Sequence, residues 1–315
     1  MNIEEVINSR GLKASSANNY IRTLKKLQKD YGSDDLEQSL KEDSELNTFN
    51  SIFEGKSHHT KKTYLIAIHS LLCGKSHGNG AVCDHVTAQP FHTEMNQINK
   101  KIVEFDDKQE KTEKQSDNWA TLDELKSLMK EYQKKVKPLL HENASLKDIM
   151  EIEKWVVLSL YLSDDSNPPI RSEYGDMIIT HTMKDMDKNV NYLMITGPRK
   201  KEIILNNYKT DGKYGQKIFK VGKVLNKVLN TWLKVVGHKD GDPLLLKKTG
   251  GIMGRANLSK FLVEITKPLG KRISIQMMRH IFISEKIIQP KLSEKSELAD
   301  KMCHSVGTQT SYIKY

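Results

Sequence analysis

The chain has 315 residues, enough for two domains with separate cores, and only 37% of them are hydrophobic, so much of its surface must be polar. Fifty Lys and Arg against forty Asp and Glu give a net charge of +10, which favours a polyanionic partner such as nucleic acid. No stretch approaches the roughly 20 apolar residues that span a bilayer, and the opening MNIEEVINSR lacks an apolar signal core; a soluble, intracellular protein is expected.

The first helical pattern is SSANNYIRTLKKLQKDYG. Ser15 or Ser16 can cap it, Tyr20, Leu24, Leu27 and Tyr31 recur at helical spacing, and Gly32 ends it. A second pattern, SHHTKKTYLIAIHSLLCG, carries Tyr64, Leu65, Ile68, Leu71 and Leu72 as its apolar stripe and Gly74 as its stop. Between the stripes lie Arg22, Lys25, Lys26, Lys61 and Lys62, so both helices present basic faces that are candidate DNA contacts.

Cys73, His77, Cys83, His85 and His92 fall within twenty residues, but their spacing, C-x3-H-x5-C-x-H, matches no zinc pattern, and no metal is expected. Three cysteines (Cys73, Cys83, Cys303) are a sparse, odd set that argues against a disulfide framework and fits a reducing compartment. From Lys101 to Asn118 the chain is almost wholly polar, which predicts a linker or an exposed helix. The expected division is residues 1–105 as a helical domain, 106–120 as linker and 121–315 as a second domain.

That second domain opens on a capping-box pattern at Thr121 and Glu124, followed by a strongly apolar helix in IMEIEKWVVLSLYLS. The segments DMIIT, NVNYLMIT and EIILNNY then read as short antiparallel strands separated by turn residues. Helices resume in VGKVLNKVLNTWLKVV, NLSKFLVEITKPLG and QMMRHIFISEKI. The predicted fold is mainly α with a small antiparallel β-sheet.

Several residues in this half suggest chemistry. Arg171 follows two prolines, and a guanidinium suits two-point contact with a phosphate. Between Arg199 and Lys234 stand ten basic residues and two acids, so Arg199, Lys200 and Lys201 are further candidate DNA contacts. Arg279 lies among Met277, Met278, Ile281 and Phe282, where a charge needs an internal carboxylate or a bound phosphate. The chain closes on CHSVGTQTSYIKY, with His304, Tyr312 and Tyr315 close together.

Taken together these pieces resemble the tyrosine recombinases, which cut and rejoin DNA through a phosphotyrosine. PPIRSEYGDM looks like the first-arginine box, with Arg171 as its arginine. IILNNYKTDGKYG resembles the strand and turn that bear the family's catalytic lysine, with Lys209 as the best match and Lys200 and Lys201 as competitors. QMMRHIF is similar to the H-x-x-R box, with Arg279 as the arginine and Gln276 where a histidine usually stands. CHSVGTQTSYIKY resembles the closing L-G-H-S segment, with His304 as the second histidine. Tyr312 lies one residue short of the family's usual interval and is the expected nucleophile; Tyr315 is the alternative. The acid usually three residues after the first arginine is replaced by Tyr174, flanked by Glu173 and Asp176. ANNYIRTLKKL and HTKKTYLIAIHSLL match the helical core-binding domain loosely, and the flavour of PPIR, NNYKT and HSVGTQ is nearest to integrases of virophages and mobile elements of large DNA viruses.

The resemblance implies a two-domain recombinase architecture, attack by Tyr312 on the scissile phosphate, and a 3′-phosphotyrosyl intermediate. Arg171, Arg279 and His304 would hold the phosphoryl oxygens, Gln276 would donate a hydrogen bond, and Lys209 would protonate the leaving 5′ oxygen. It implies no cofactor, double-stranded DNA with att-type sites as partner, and a homotetramer assembled on DNA from weakly associated monomers. Action would be wherever the DNA lies, in host cytoplasm, nucleus or virus factory. A type IB topoisomerase and a catalytically degenerate DNA-binding regulator are the alternatives.

Overall fold

A computed structural model describes residues 2–73, 75–76, 81–82, 84–142, 144–163, 167, 169–184, 186–286 and 292–314. The chain divides into two compact units, Met1–Lys108 and Gln109–Tyr315.

The first unit is helical. It contains α1 (Ile3–Asn8), α2 (Ala14–Tyr31), α3 (Leu36–Glu42), α4 (Asn47–Ile52), α5 (His58–Leu72) and α6 (His85–Asp107), with a short antiparallel pair, β1 (Lys75–Ser76) and β2 (Ala81–Val82), between the last two. Leu24 and Leu27 of α2 meet Leu65, Ile68 and Leu71 of α5 and Phe91 and Ile98 of α6 in one core. Helix α2 begins a residue before the serines expected to cap it, and Gly32 ends it in the left-handed conformation, as a C-terminal glycine should. The buried carboxylate of Asp43 accepts the amides of Thr48 and Phe49 and the Tyr31 hydroxyl, so one side chain supplies the start of α4 that Leu46 cannot cap. The polar run from Lys101 is less of a linker than its composition suggests: α6 continues through Asp107, because Ile98 and Ile102 hold its inner face.

The second unit has its own core. Its elements are α7 (Glu113–Asn118), α8 (Leu122–Val136), α9 (Leu146–Leu162), β3 (Ile178–Thr180), β4 (Tyr192–Gly197), β5 (Lys200–Leu205), α10 (Asp211–Tyr214), β6 (Lys217–Lys220), α11 (Lys223–Val236), α12 (Arg255–Ile265), α13 (Ile275–Lys286), α14 (Leu292–Lys301) and α15 (Val306–Thr310). Reciprocal capping boxes open α7, α8 and α9, the second being the predicted Thr121–Glu124 pair. Helix α9 is buried along most of its length, as a helix apolar on every side must be.

The four strands are ordered β3-β4-β5-β6. The sheet is mixed rather than purely antiparallel: β3 runs parallel to β4, pairing Ile178 with Tyr192, while β4–β5 and β5–β6 are antiparallel. The link 181–191 is long enough to carry the chain back to the starting end, the crossover a parallel pair needs. The fourth strand, KIFK, has too few residues to show an alternating pattern. Cys73 is disulfide-bonded although the sparse, odd cysteine set argued against a disulfide framework, whereas Cys303 is free and buried.

Candidate active site

The second unit gathers its polar residues where α13, the segment 169–176 and the stretch 302–314 meet. Arg279 lies on the inner face of α13 and has no accessible surface. Its Nη1 donates to the Pro169 carbonyl at 2.6 Å and its Nη2 to the Met302 carbonyl at 3.4 Å, while Nε has no partner. These two bonds fasten the arginine to the strand-like segment that carries Arg171 and to the end of α14. Arg171 itself is half-buried, and its carbonyl accepts the Tyr161 hydroxyl at 2.9 Å.

Beyond α14 the backbone reverses sharply. Cys303 adopts a left-handed conformation (φ 56°), and its carbonyl accepts the Thr210 hydroxyl at 2.9 Å. Ser305 then caps α15 through the Thr308 amide, so His304 occupies the elbow between two helices. The closing stretch is therefore ordered structure, and Tyr312 returns into the core with only 4% of its surface exposed.

Around the Tyr312 ring stand three side chains. The Arg279 guanidinium carbon lies 5.1 Å from the ring centroid, the His304 ring is stacked on it at 5.4 Å and 16°, and the His280 ring lies at 4.8 Å. The Tyr312 hydroxyl points at Gln276 Oε1 across a long 3.4 Å contact. Burial by itself raises the phenol's pKa, but the charge and hydrogen bond of Arg279, the Gln276 contact and the charge of Arg171 outweigh it and leave the phenol below its ordinary value.

His304 is pushed the other way from a charged imidazole: burial and then the positive charge of Arg279 lower it to about 4. Its Nδ1 lies 3.1 Å from the Ser305 carbonyl, which can only accept, so Nδ1 carries the proton. The neutral ring then has a lone pair on Nε2, which is buried and has no partner. Two polar atoms, a donor on Arg279 and an acceptor on His304, are thus left unsatisfied beside one phenol.

Arg171, Gln276, Arg279, His304 and Tyr312 are accordingly brought together. Lys209 is exposed, one residue before the Thr210 that bonds the Cys303 carbonyl, so its backbone is tied to the site's edge. Lys201 is not presented to solvent: it is 2% exposed, and its ammonium bonds Asn226 Oδ1 at 3.0 Å, the Pro198 carbonyl at 3.3 Å and Asn230. That removes it as a surface DNA contact, because all three of its donors have acceptors. Arg199 and Lys200 are exposed, as are Arg22, Lys25 and Lys26, while Lys61 and Lys62 are partly buried; Lys25 pairs with Glu4 and Arg22 bonds Asn19. Tyr315, the alternative nucleophile, lies outside the described residues.

Three features of the site were given no role by the sequence. Glu173, two residues after Arg171, is 4% exposed and lies within electrostatic reach of Arg171, Arg255 and Arg279, although burial keeps its carboxyl above the ordinary range. Arg255 bonds Asp176 and, at 2.6 Å, the Asn207 carbonyl, joining the 173–176 turn to the stretch before Lys209. His280 bonds the main chain of Tyr312. None of these follows a local pattern; Asp176, in the same PPIRSEYGDM box as Arg171, was the available hint. Of the metal-candidate residues, His77 and Cys83 lie outside the described residues, and among the described residues no three metal-ligating side chains cluster.

No family model matches this chain, and no curated protein matches it. Among solved structures, one titled "Crystal structure of XerA recombinase" aligns over 99% of this chain and 92% of that chain, with 11% identity and a TM-score of 0.41. At that level of agreement no residue role is carried across. No helix among the described residues is long and apolar enough to cross a membrane.

Proposed function

We propose that this protein is a tyrosine recombinase that cuts and rejoins double-stranded DNA, integrating a mobile element. The observation that carries the reading is a phenol held below its ordinary pKa between a fully buried arginine and a neutral histidine. A tyrosine with an ordinary pKa near 10 is a poor nucleophile at neutral pH, and adjacent positive charge is what activates it.

The reaction follows from the groups present. Tyr312 Oη forms a bond to phosphorus as the bond from phosphorus to the 5′ oxygen breaks. On this reading the phenolic proton is taken up by His304 Nε2, whose lone pair is uncommitted, once the two stacked rings shift to bring it against the hydroxyl. Once protonated, His304 becomes a donor and, with Arg171 and Arg279, neutralises the non-bridging oxygens as charge develops. Lys209 gives its proton to the departing 5′ oxygen. This assignment makes the histidine missing at Gln276 less damaging, since an amide cannot serve as a base but His304 can. Lys209 is the better acid than Lys201, whose donors are already engaged. The phosphotyrosyl bond conserves the energy of the phosphodiester, so rejoining is the same sequence reversed, and two DNA segments with four protomers complete an exchange.

The decisive experiment uses nicked DNA that traps the covalent product. Wild-type protein should become attached to the 3′ end and Tyr312→Phe should not; an adduct retained by the Phe variant would sink the assignment. Binding without any adduct in either protein would point to a regulator, and relaxation of supercoils without joining of two duplexes to a topoisomerase.

A further inference from the structure

The Tyr312 main chain is held as firmly as its ring. Its carbonyl accepts His280 Nδ1–H at 2.9 Å, and because a carbonyl cannot donate, this bond fixes the tautomer of His280. Ser284, one turn farther along the same helix, donates to the same carbonyl at 3.4 Å and accepts the Lys314 amide at 2.8 Å. Arg279, which faces the ring, belongs to that helix too. One helix therefore grips the tyrosine at both ends, its backbone through His280 and Ser284 and its phenol through Gln276 and Arg279.

We propose that His280 and Ser284 are positioning residues that lock Tyr312 in place, holding its phenol against Arg279 and Gln276. Neither residue is placed to touch the reacting atoms; each acts through the tyrosine it holds. The clamp makes the phenol's ionisation depend on a bond to the backbone, because only a clamped ring stays within reach of Arg279. The charged and titratable groups that face the phenol are Arg279 and His280 from α13, Arg171 from the preceding turn and His304 from the elbow. As a statement about catalysis this rests on the recombinase reading, but its physical content can be measured without DNA.

Protein labelled with 3-fluorotyrosine, with the Tyr312 resonance assigned by its absence in Tyr312→Phe, reports the phenol titration by fluorine NMR. His280→Ala should move the Tyr312 titration upward relative to the otherwise wild-type labelled protein. It should also slow single-turnover adduct formation by about 100-fold at unchanged DNA affinity, the scale expected for a nucleophile misplaced by an ångström. His280→Asn, whose amide can donate from nearly the same place, should restore both, and Ser284→Ala should shift both in the same direction by less. A His280→Ala protein with wild-type titration and rate overturns the clamp, as does an Asn variant as impaired as Ala, which would mean packing alone. If the Ala variant does not fold, Ser284→Ala decides, and an unshifted titration in it overturns the proposal. Absence of any adduct with wild-type protein would instead refute the recombinase reading, leaving the titration to judge the clamp separately.

Discussion

Glu153 sits in the buried helix α9 with one carboxylate oxygen on the Leu246 amide at 2.6 Å and the other without a partner. It lines a cavity of about 430 Å³ whose rim carries Lys247, Lys248 and Lys260. Burial, only partly countered by the Leu246 bond, pushes its carboxyl up to about 8. A raised acid is protonated in the fold where it would be ionised in the unfolded chain, so its cost to stability grows as pH rises from about 4.5 through 8. Glu153→Gln, which keeps an acceptor for Leu246 and cannot ionise, should therefore be more stable than wild type above pH 8, by on the order of several kcal/mol, with the difference shrinking toward pH 5. Urea unfolding at a series of pH values measures this, and a difference that does not change with pH would refute it.

The same scale shows what could be read in advance at the site. Arg279 was legible because a charge inside an apolar helix demands a partner, and His304 and Tyr312 because the closing segment resembles a known motif, though its interval is one residue short. Lys201 was misread as a surface contact, since burial of a lysine depends on Asn226 and Asn230, which are distant in sequence and enter only when α11 packs on the β4–β5 turn. The tautomer of His304 was equally hidden, because it is set by the Ser305 carbonyl turning back on the ring.

Among the elements, the turn after Arg171 has the least room. The Gly175 carbonyl accepts the Gly254 amide at 2.6 Å, and a Cβ on Gly175 would stand 2.7 Å from the Gly254 carbonyl oxygen. Both sides of that contact are backbone, so no flexible side chain can yield. Gly175→Ala should cost about 2 kcal/mol or more and lower the melting temperature. It should also disturb Arg171 and Arg255, which flank the turn, so on the proposed recombinase reading DNA cleavage should suffer beyond the loss of stability. A variant as stable as wild type in chemical denaturation would contradict the packing account. Sequence placed most of the long helices because stripes and caps are local signals, as at Thr121. Strand direction was not local: the parallel β3–β4 pair is decided by where the link 181–191 returns the chain.

For the molecule as a whole, the excess of ten positive charges is unevenly useful. Arg199, Lys200 and Lys26 are exposed, Lys25 is paired with Glu4, and Lys201 is buried. If the first three contact phosphates, each replaced by Ala should lower the slope of log affinity against log salt by about one on duplex DNA. Lys201→Ala should leave the slope unchanged while destabilising the fold, because it empties the cage formed by Asn226, Asn230 and Pro198. Fluorescence anisotropy across a salt series checks both statements, and a reduced slope for Lys201→Ala would contradict its burial.

The full burial of Arg279 beneath the returning stretch 303–314 also decides where its charge is felt. With no accessible surface, its guanidinium acts inside the fold, lowering the Tyr312 phenol and the His304 imidazole from their ordinary values.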